Sequence, residues 1–197
     1  LPYEVTDPTV ASQVISAKAS GATVFFNVAT NKFAAQAIRK AHEIGWNPVH
    51  FLNSVAHSTS AVMRPAGLEA AQGVITAGYQ MDQSDPRWRD HPEFREWQAF
   101  MDEYYPEGDR SSNLTGYAYG ACMALKTVLE QAGDDLSREN IMTQAANLDE
   151  VRVPMLLPGI TADTSPTDYF PIESMRLQRF EGEGWKPFGE LISTESE

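Results

Sequence analysis

The sequence holds a single cysteine, Cys122, so no disulfide can form within the chain and the fold must rest on its packed core. It has no apolar run of 18 residues for a membrane-crossing helix, and no basic start followed by an apolar stretch for a signal peptide. Positive charge is scarce: 15 Lys and Arg face 27 Asp and Glu, a net charge of -12 that repels phosphate backbones and anionic lipid. Nucleic acid and the membrane surface are therefore not expected partners. No Gly-x-Gly-x-x-Gly or Walker loop follows a strand, which argues against dinucleotide and nucleoside triphosphate cofactors, and no Gly-x-Ser-x-Gly elbow offers a nucleophile. The four histidines, His42, His50, His57 and His91, are not spaced as metal ligands, so neither a metal nor any other cofactor is expected.

What is present is the composition of a folded protein, 42% hydrophobic and 21% charged over 197 residues. Leu1 to Val5 reads as a short strand. A helix follows, with Asp7 as N-cap, Pro8 in the first turn, Val10, Val14 and Ile15 on one face, and Gly21 as the stop. Val24–Val28 is a continuous apolar run, as expected of a strand covered on both faces. A helix from Thr30 or Asn31 then carries Phe33, Ala34, Ala37, Ile38, Ala41 and Ile44 on one stripe and ends at Gly45. Val49–Leu52 and Gly73–Tyr79 read as further strands. Alternating strands and helices imply a parallel sheet, so the fold class is α/β over residues 1 to about 80.

The polar stretch from Gln80 to Asp90 reads as a linker, its Asp82, Asp85 and Asp90 as solvated charge. Three helices follow without intervening strands. Pro92 opens the first, with Phe94, Trp97, Met101 and Tyr104 along a face. Asn113 to Ala132 forms the second, with Tyr117, Ala121, Leu125, Val128 and Leu129 as its buried stripe. Ser137 caps the third, which turns Ile141, Met142, Ala145 and Leu148 inward. Gly116 and Gly120 are expected to admit another helix. Strand character returns in Val151–Ile160 and in Met175–Leu191, where Glu181-Gly182-Glu183-Gly184 turns a hairpin. The three helices need a surface to bury their apolar faces: either they form a bundle, or the sheet beneath them lies outside this sequence.

Ligands of open parallel sheets bind beyond the carboxyl ends of the strands. That rule selects the loops at Thr6 and Asp7, at Ala29, Thr30 and Asn31, at Asn53 and Ser54, and at Tyr79 and Gln80. Hydroxyls, amides and helix N-termini suit a small polar or carboxylate ligand. Asp7, Thr30 and Ser58 also fit as simple helix caps. His57 follows the strand Val49–Leu52 and reads either as a crevice residue or as an ordinary loop histidine. Asn113-Leu114-Thr115 matches a glycosylation sequon by pattern alone.

The runs Tyr3–Pro48, Tyr117–Met142 and Pro154–Phe180 resemble the C-terminal portion of type I periplasmic substrate-binding proteins of ABC importers, the branched-chain amino acid-binding-like group. The resemblance implies a three-layer αβα lobe plus helices that complete another lobe. Residues 1–80 would be the second lobe, 81–160 the crossover and helices completing the first, and 161–197 a crossover returning to the second. It implies a non-catalytic solute carrier that closes about a hinge, delivers to an ABC permease and works in the periplasm or outside the cytoplasm. The chain would be a fragment accompanied by its missing N-terminal portion or by a second copy. Where relatives that bind branched-chain amino acids carry an aromatic residue and an acid, this sequence has Thr30 and Ser54. Without that acid an α-ammonium group would be buried unpaired, so a polar, aromatic or aliphatic carboxylate ligand is expected instead. The residues expected to hold it are Asn27, Ala29, Thr30, Asn53 and Ser54, with Tyr79, Tyr117 and Tyr169 as wall contacts, Tyr117 reading equally as core. A receptor's ligand-sensing domain of the same fold is the alternative function. A hydrolase or dehydrogenase of small acids has no convincing residue set.

Overall fold

The computed structural model describes residues 1–193. The chain divides into two compact units, one made of Leu1–Gly78 with Arg176–Glu190, the other of Tyr79–Met175 with the described residues 191–193. The path passes from one unit to the other after Gly78, after Met175 and after Glu190.

The first unit is α/β. It contains α1 (Ala11–Ala19), β1 (Val24–Asn27), α2 (Asn31–Glu43), β2 (Val49–Leu52), the short α3 (Arg64–Ala66), β3 (Ile75–Gly78) and most of β4 (Ser174–Glu181) and β5 (Gly184–Ser193). They form one sheet in the order β1-β2-β3-β4-β5, with β1, β2 and β3 parallel and β4 antiparallel to β3. The register aligns Asn27, Leu52, Thr76 and Gln178 in a single row across four strands. All four are buried, as are Phe33, Ala34, Ala37, Ile38 and Ala41 along the predicted stripe of α2. Phe180 and Trp185 complete that core from the hairpin, whose tight turn is Gly182-Glu183 as the sequence indicated.

Four local expectations fail here. Leu1 to Val5 forms no strand: the Asp7 carboxylate and N–H bond Glu4 and close a turn, and Tyr3 folds its ring onto Phe33 at 4.6 Å. Asp7 is thereby used up and does not cap α1, which starts at Ala11 with its N–H on Thr9 Oγ1. Ile15 is exposed, and Val14 is the buried residue of α1, with Val10 buried at its N-cap. The strand β1 is covered on one side only, with Phe26 71% and Val28 73% exposed. Phe26 stacks on Phe51 of β2 across that open face.

The second unit contains α4 (Pro92–Tyr104), α5 (Asn113–Ala132) and α6 (Arg138–Ala145), whose starts match the sequence reading; α6 stops at Ala145, so Leu148 lies beyond the helix it was expected on. Phe94, Trp97 and Met101 are buried on α4, whereas Tyr104 is exposed. On α5 the expected stripe is displaced. Tyr117, Ala121, Leu125 and Leu129 are exposed, and the buried line runs through Asn113, Gly116, Gly120, Val128 and Ala132. Its small residues face a side chain and an extended segment rather than a helix: Gly116 lies against the Gln83 amide and Gly120 against Val153 and the Pro154 carbonyl. Met142 of α6 is likewise exposed. The segment Val151–Ile160 is not a strand, because Pro154 and Pro158 interrupt it and Met155 takes φ 70. It still fills the core with Val153, Met155, Leu156, Leu157 and Ile160, tied to the chain after β3 by Met81 N–H to Met155 and Leu157 N–H to Tyr79.

Candidate functional site

In the first unit the carboxyl ends of β1, β2 and β3 carry the loops the sequence selected. Asn27 ends β1, and its amide lies 3.2 Å from His50 Nε2 in the core. Burial pushes the His50 pKa down to about 4, so the ring is neutral at pH 7 and Nε2 accepts from Asn27 Nδ2. Asn27 is thus committed to holding β1 and β2 together. Its main-chain carbonyl accepts the Asn53 N–H at 3.1 Å, which ties the two candidate loops to each other.

Ala29 is buried and Thr30 exposed. Thr30 sits at the N-cap position of α2 without a side-chain bond to the helix, and its own N–H goes to the Tyr3 hydroxyl at 2.9 Å. The next residue, Asn31, presents a buried Oδ1 with no partner among the described residues, and so does Asn53. Ser54 begins the turn Ser54–Ala56, and its carbonyl accepts from His57 Nδ1. The other His57 ring nitrogen, Nε2, is buried without a partner among the described residues, and the residue is only 2% exposed. His57 is therefore an interior residue, locked by the Trp185 indole on its carbonyl. Ser58 does cap the following turn, accepting from the Ala61 N–H.

The second unit holds the three tyrosines. Burial, and after it the neighbouring Tyr117 phenol, push the Tyr79 hydroxyl above its usual pKa, so these two residues are brought together. Tyr117 is 53% exposed on α5, which removes the core reading. Tyr169 stands elsewhere, bonding the Pro166 carbonyl and lining a cavity with Leu125 and Val128, two to three turns further along α5. Asp82 and Asp85 are buried, not solvated: Asp82 takes the Ser84 N–H and hydroxyl, and Asp85 takes Arg87. Asn113 of the sequon is buried in the first turn of α5. Among the described residues no cluster of His, Cys, Asp or Glu is arranged to hold a metal, and no helix is long and apolar enough to cross a membrane.

Two further residues belong to this end of the first unit and escaped the sequence reading. Arg176 and Gln178 lie on β4, opposite Gly78 and Thr76. An apolar cavity of about 380 Å³ lies instead along the free edge of β1, lined by Tyr3, Val10, Val14, Phe25, Val28 and Phe33.

Taken chemically, the loops offer neutral amide and hydroxyl groups without a carboxylate, a set that orients a small molecule and lacks a nucleophile with its base. The chain belongs to the periplasmic binding protein family, whose sequence model matches residues 1–184. No curated protein matches it. Among solved structures it is similar to a leucine-binding protein from Thermotoga maritima MSB8, with 16% identity and a TM-score of 0.71 over 98% of this chain and 51% of that one. A branched-chain amino acid ABC transporter protein from Thermus thermophilus with bound valine gives 15% and 0.75, over 98% and 52%. A fatty acid ABC transporter substrate-binding protein from Thermomonospora curvata gives 20% and 0.71, over 99% and 49%. The chain spans about half the length of these structures, and the likeness is one of fold: an open α/β sheet of the type I binding-protein lobe.

Proposed function

We propose that this chain is part of a non-catalytic solute-binding protein of an ABC importer, working outside the cytoplasm and handing its solute to a membrane permease. The observation that carries the reading is the pair of linked loops after β1 and β2. They set Thr30, Asn31, Asn53 and Ser54 around the strand ends with two unpaired amide oxygens and no acid. Ala29 and Asn27 shape that loop from beneath, and Tyr79 and Tyr117 are candidate wall residues of the second unit. Tyr169 is a weaker candidate, since it stands apart from them. A small polar or carboxylate solute suits these groups. A free α-ammonium group does not, because Ser54 cannot neutralise it.

The exposed apolar residues of β1 and α5 favour association, either with the remaining half of a longer protein or with a second copy. The test is native mass spectrometry of the purified chain, followed by titration with leucine and with small carboxylates. A retained or added small carboxylate or polar solute supports the reading. Tight leucine binding that Ser54→Ala leaves unchanged overturns it.

A further inference from the structure

Alternate residues of a strand share a face, so Arg176 and Gln178 point to the same side of β4. Arg176 is opposite Gly78, the last residue of β3, which carries no side chain of its own. Gln178 is only 4% exposed, and its side chain runs past Thr76 toward the strand end to lie over Gly78; a Cβ at that position would collide with the amide nitrogen. Each residue keeps a buried N–H donor without a partner among the described residues, Arg176 at Nε and Gln178 at Nε2. Within the described residues the Arg176 guanidinium makes one hydrogen bond, from Nη2 to the Gly189 carbonyl at 3.3 Å. Among the described residues it has no carboxylate within ion-pair distance.

Two unpaired donors, one of them charged, stand at the same end of the sheet as Asn53. They call for an acceptor that carries negative charge. We infer that Arg176 and Gln178 receive the carboxylate of the solute, which makes the ligand class a monocarboxylate. A carboxylate presents two oxygens in one plane and matches a guanidinium edge with an adjacent amide. A neutral carbonyl would leave the Arg176 charge unbalanced, and a phosphate would need more donors than these two side chains supply. The unpaired oxygens of Asn31 and Asn53 then remain for hydroxyl or N–H groups on the rest of the molecule. This assignment rests on the solute-binding reading and narrows it.

The test is NMR titration of the isotopically labelled chain with propionate and, separately, propionamide at matched ionic strength, read at the Arg176 Nε–H and Gln178 side-chain amide signals. Propionate is expected to shift both saturably and propionamide to leave Arg176 in place. Arg176→Gln and Gln178→Leu should each weaken propionate binding roughly tenfold or more, with Arg176→Lys intermediate. Shifts of the Thr30, Asn53 and Ser54 amides by either probe, with Arg176 and Gln178 unmoved, overturn the carboxylate site and leave the solute-binding reading intact. Silence of all these signals with both probes overturns the assignment as well.

Discussion

The Trp185 indole N–H donates to the main-chain carbonyl of His57 at 2.6 Å, between a residue of the terminal hairpin and the loop after β2. Both residues are buried, and the Trp185 ring also meets Phe180 edge-on at 5.3 Å. One hydrogen bond therefore pins the loop that carries Asn53 and Ser54 to a strand contributed from the far end of the chain. Trp185→Phe keeps most of the ring and strands the carbonyl. We expect a loss of about 1–3 kcal/mol in urea unfolding, with faster amide exchange across residues 54–61. An unchanged unfolding midpoint and unchanged exchange would show that the bond does not hold the loop.

The Asn27–His50 pair makes stability depend on pH. The folded-state pKa of about 4 lies below the unfolded value near 6.5, so the unfolded chain binds the extra proton between them. The contribution is complete above pH 6.5 and is lost as pH falls toward 4, by about 3 kcal/mol. Carboxylates titrate in the same range, so the measurement is the difference between the protein and His50→Gln in urea at pH 7 and pH 4.5. A pH slope equal in the two proteins would exclude His50 as its source.

Gly116 and Gly120 should respond differently to alanine. At Gly116 the obstacle is the end of the flexible Gln83 side chain, whereas at Gly120 a Cβ would stand 2.9 Å from the Pro154 carbonyl, which is backbone. Alanine gains about 1 kcal/mol of helix propensity at either site. We expect Gly120→Ala to destabilise by about 1–3 kcal/mol as an overpacked site. Adding Gln83→Ala to Gly116→Ala should restore stability, because Gln83 has both amide atoms buried and unpaired. The check is thermal unfolding of the three variants; equal losses at the two glycines would contradict it.

Arg152 joins α4 to the segment after it in sequence. Its guanidinium grips both Glu93 oxygens at 2.7 and 2.6 Å and reaches the carbonyls of Leu156 and Ile160. Lysine cannot reproduce that fork. Arg152→Lys should cost about 1–3 kcal/mol, less than a fully buried pair because part of the side chain meets solvent. Urea unfolding in low and high salt tests it, and a loss confined to low salt would reduce the contact to surface charge.

Much of the first unit was legible because its signals are local. The stripe of α2 from Phe33 to Ala41, the stop at Gly45 and the Gly182 turn each announce themselves within a few residues. The loops at Thr30 and Asn53 followed from a rule about strand ends that needs only strand order. What the sequence could not show depends on partners. On α5 the bulky residues Tyr117, Leu125 and Leu129 formed the more apolar stripe, yet the chain buries the side with Gly116 and Gly120, where close approach of Gln83 and Pro154 decides the packing. Arg176 and Gln178 stayed hidden for a related reason. Their relation to Gly78 and Thr76 exists only once β4 has found its register against a strand about a hundred residues earlier.

The row Asn27, Leu52, Thr76 and Gln178 has a kinetic consequence. Its first three members arise from neighbouring βα units, but the fourth arrives only after the whole second unit has been made. Closing a loop of about a hundred residues costs roughly 4 kcal/mol of chain entropy, and contacts of such long sequence separation form slowly. During synthesis β3 must wait with its β4 edge unpaired while Tyr79–Met175 emerges and collapses. A chain that pauses there displays two bare sheet edges, β1 and β3, at once. The order of events in folding thus makes the returning hairpin, with Trp185 as its anchor, the step that seals the sheet and ends its period of greatest exposure to misassembly.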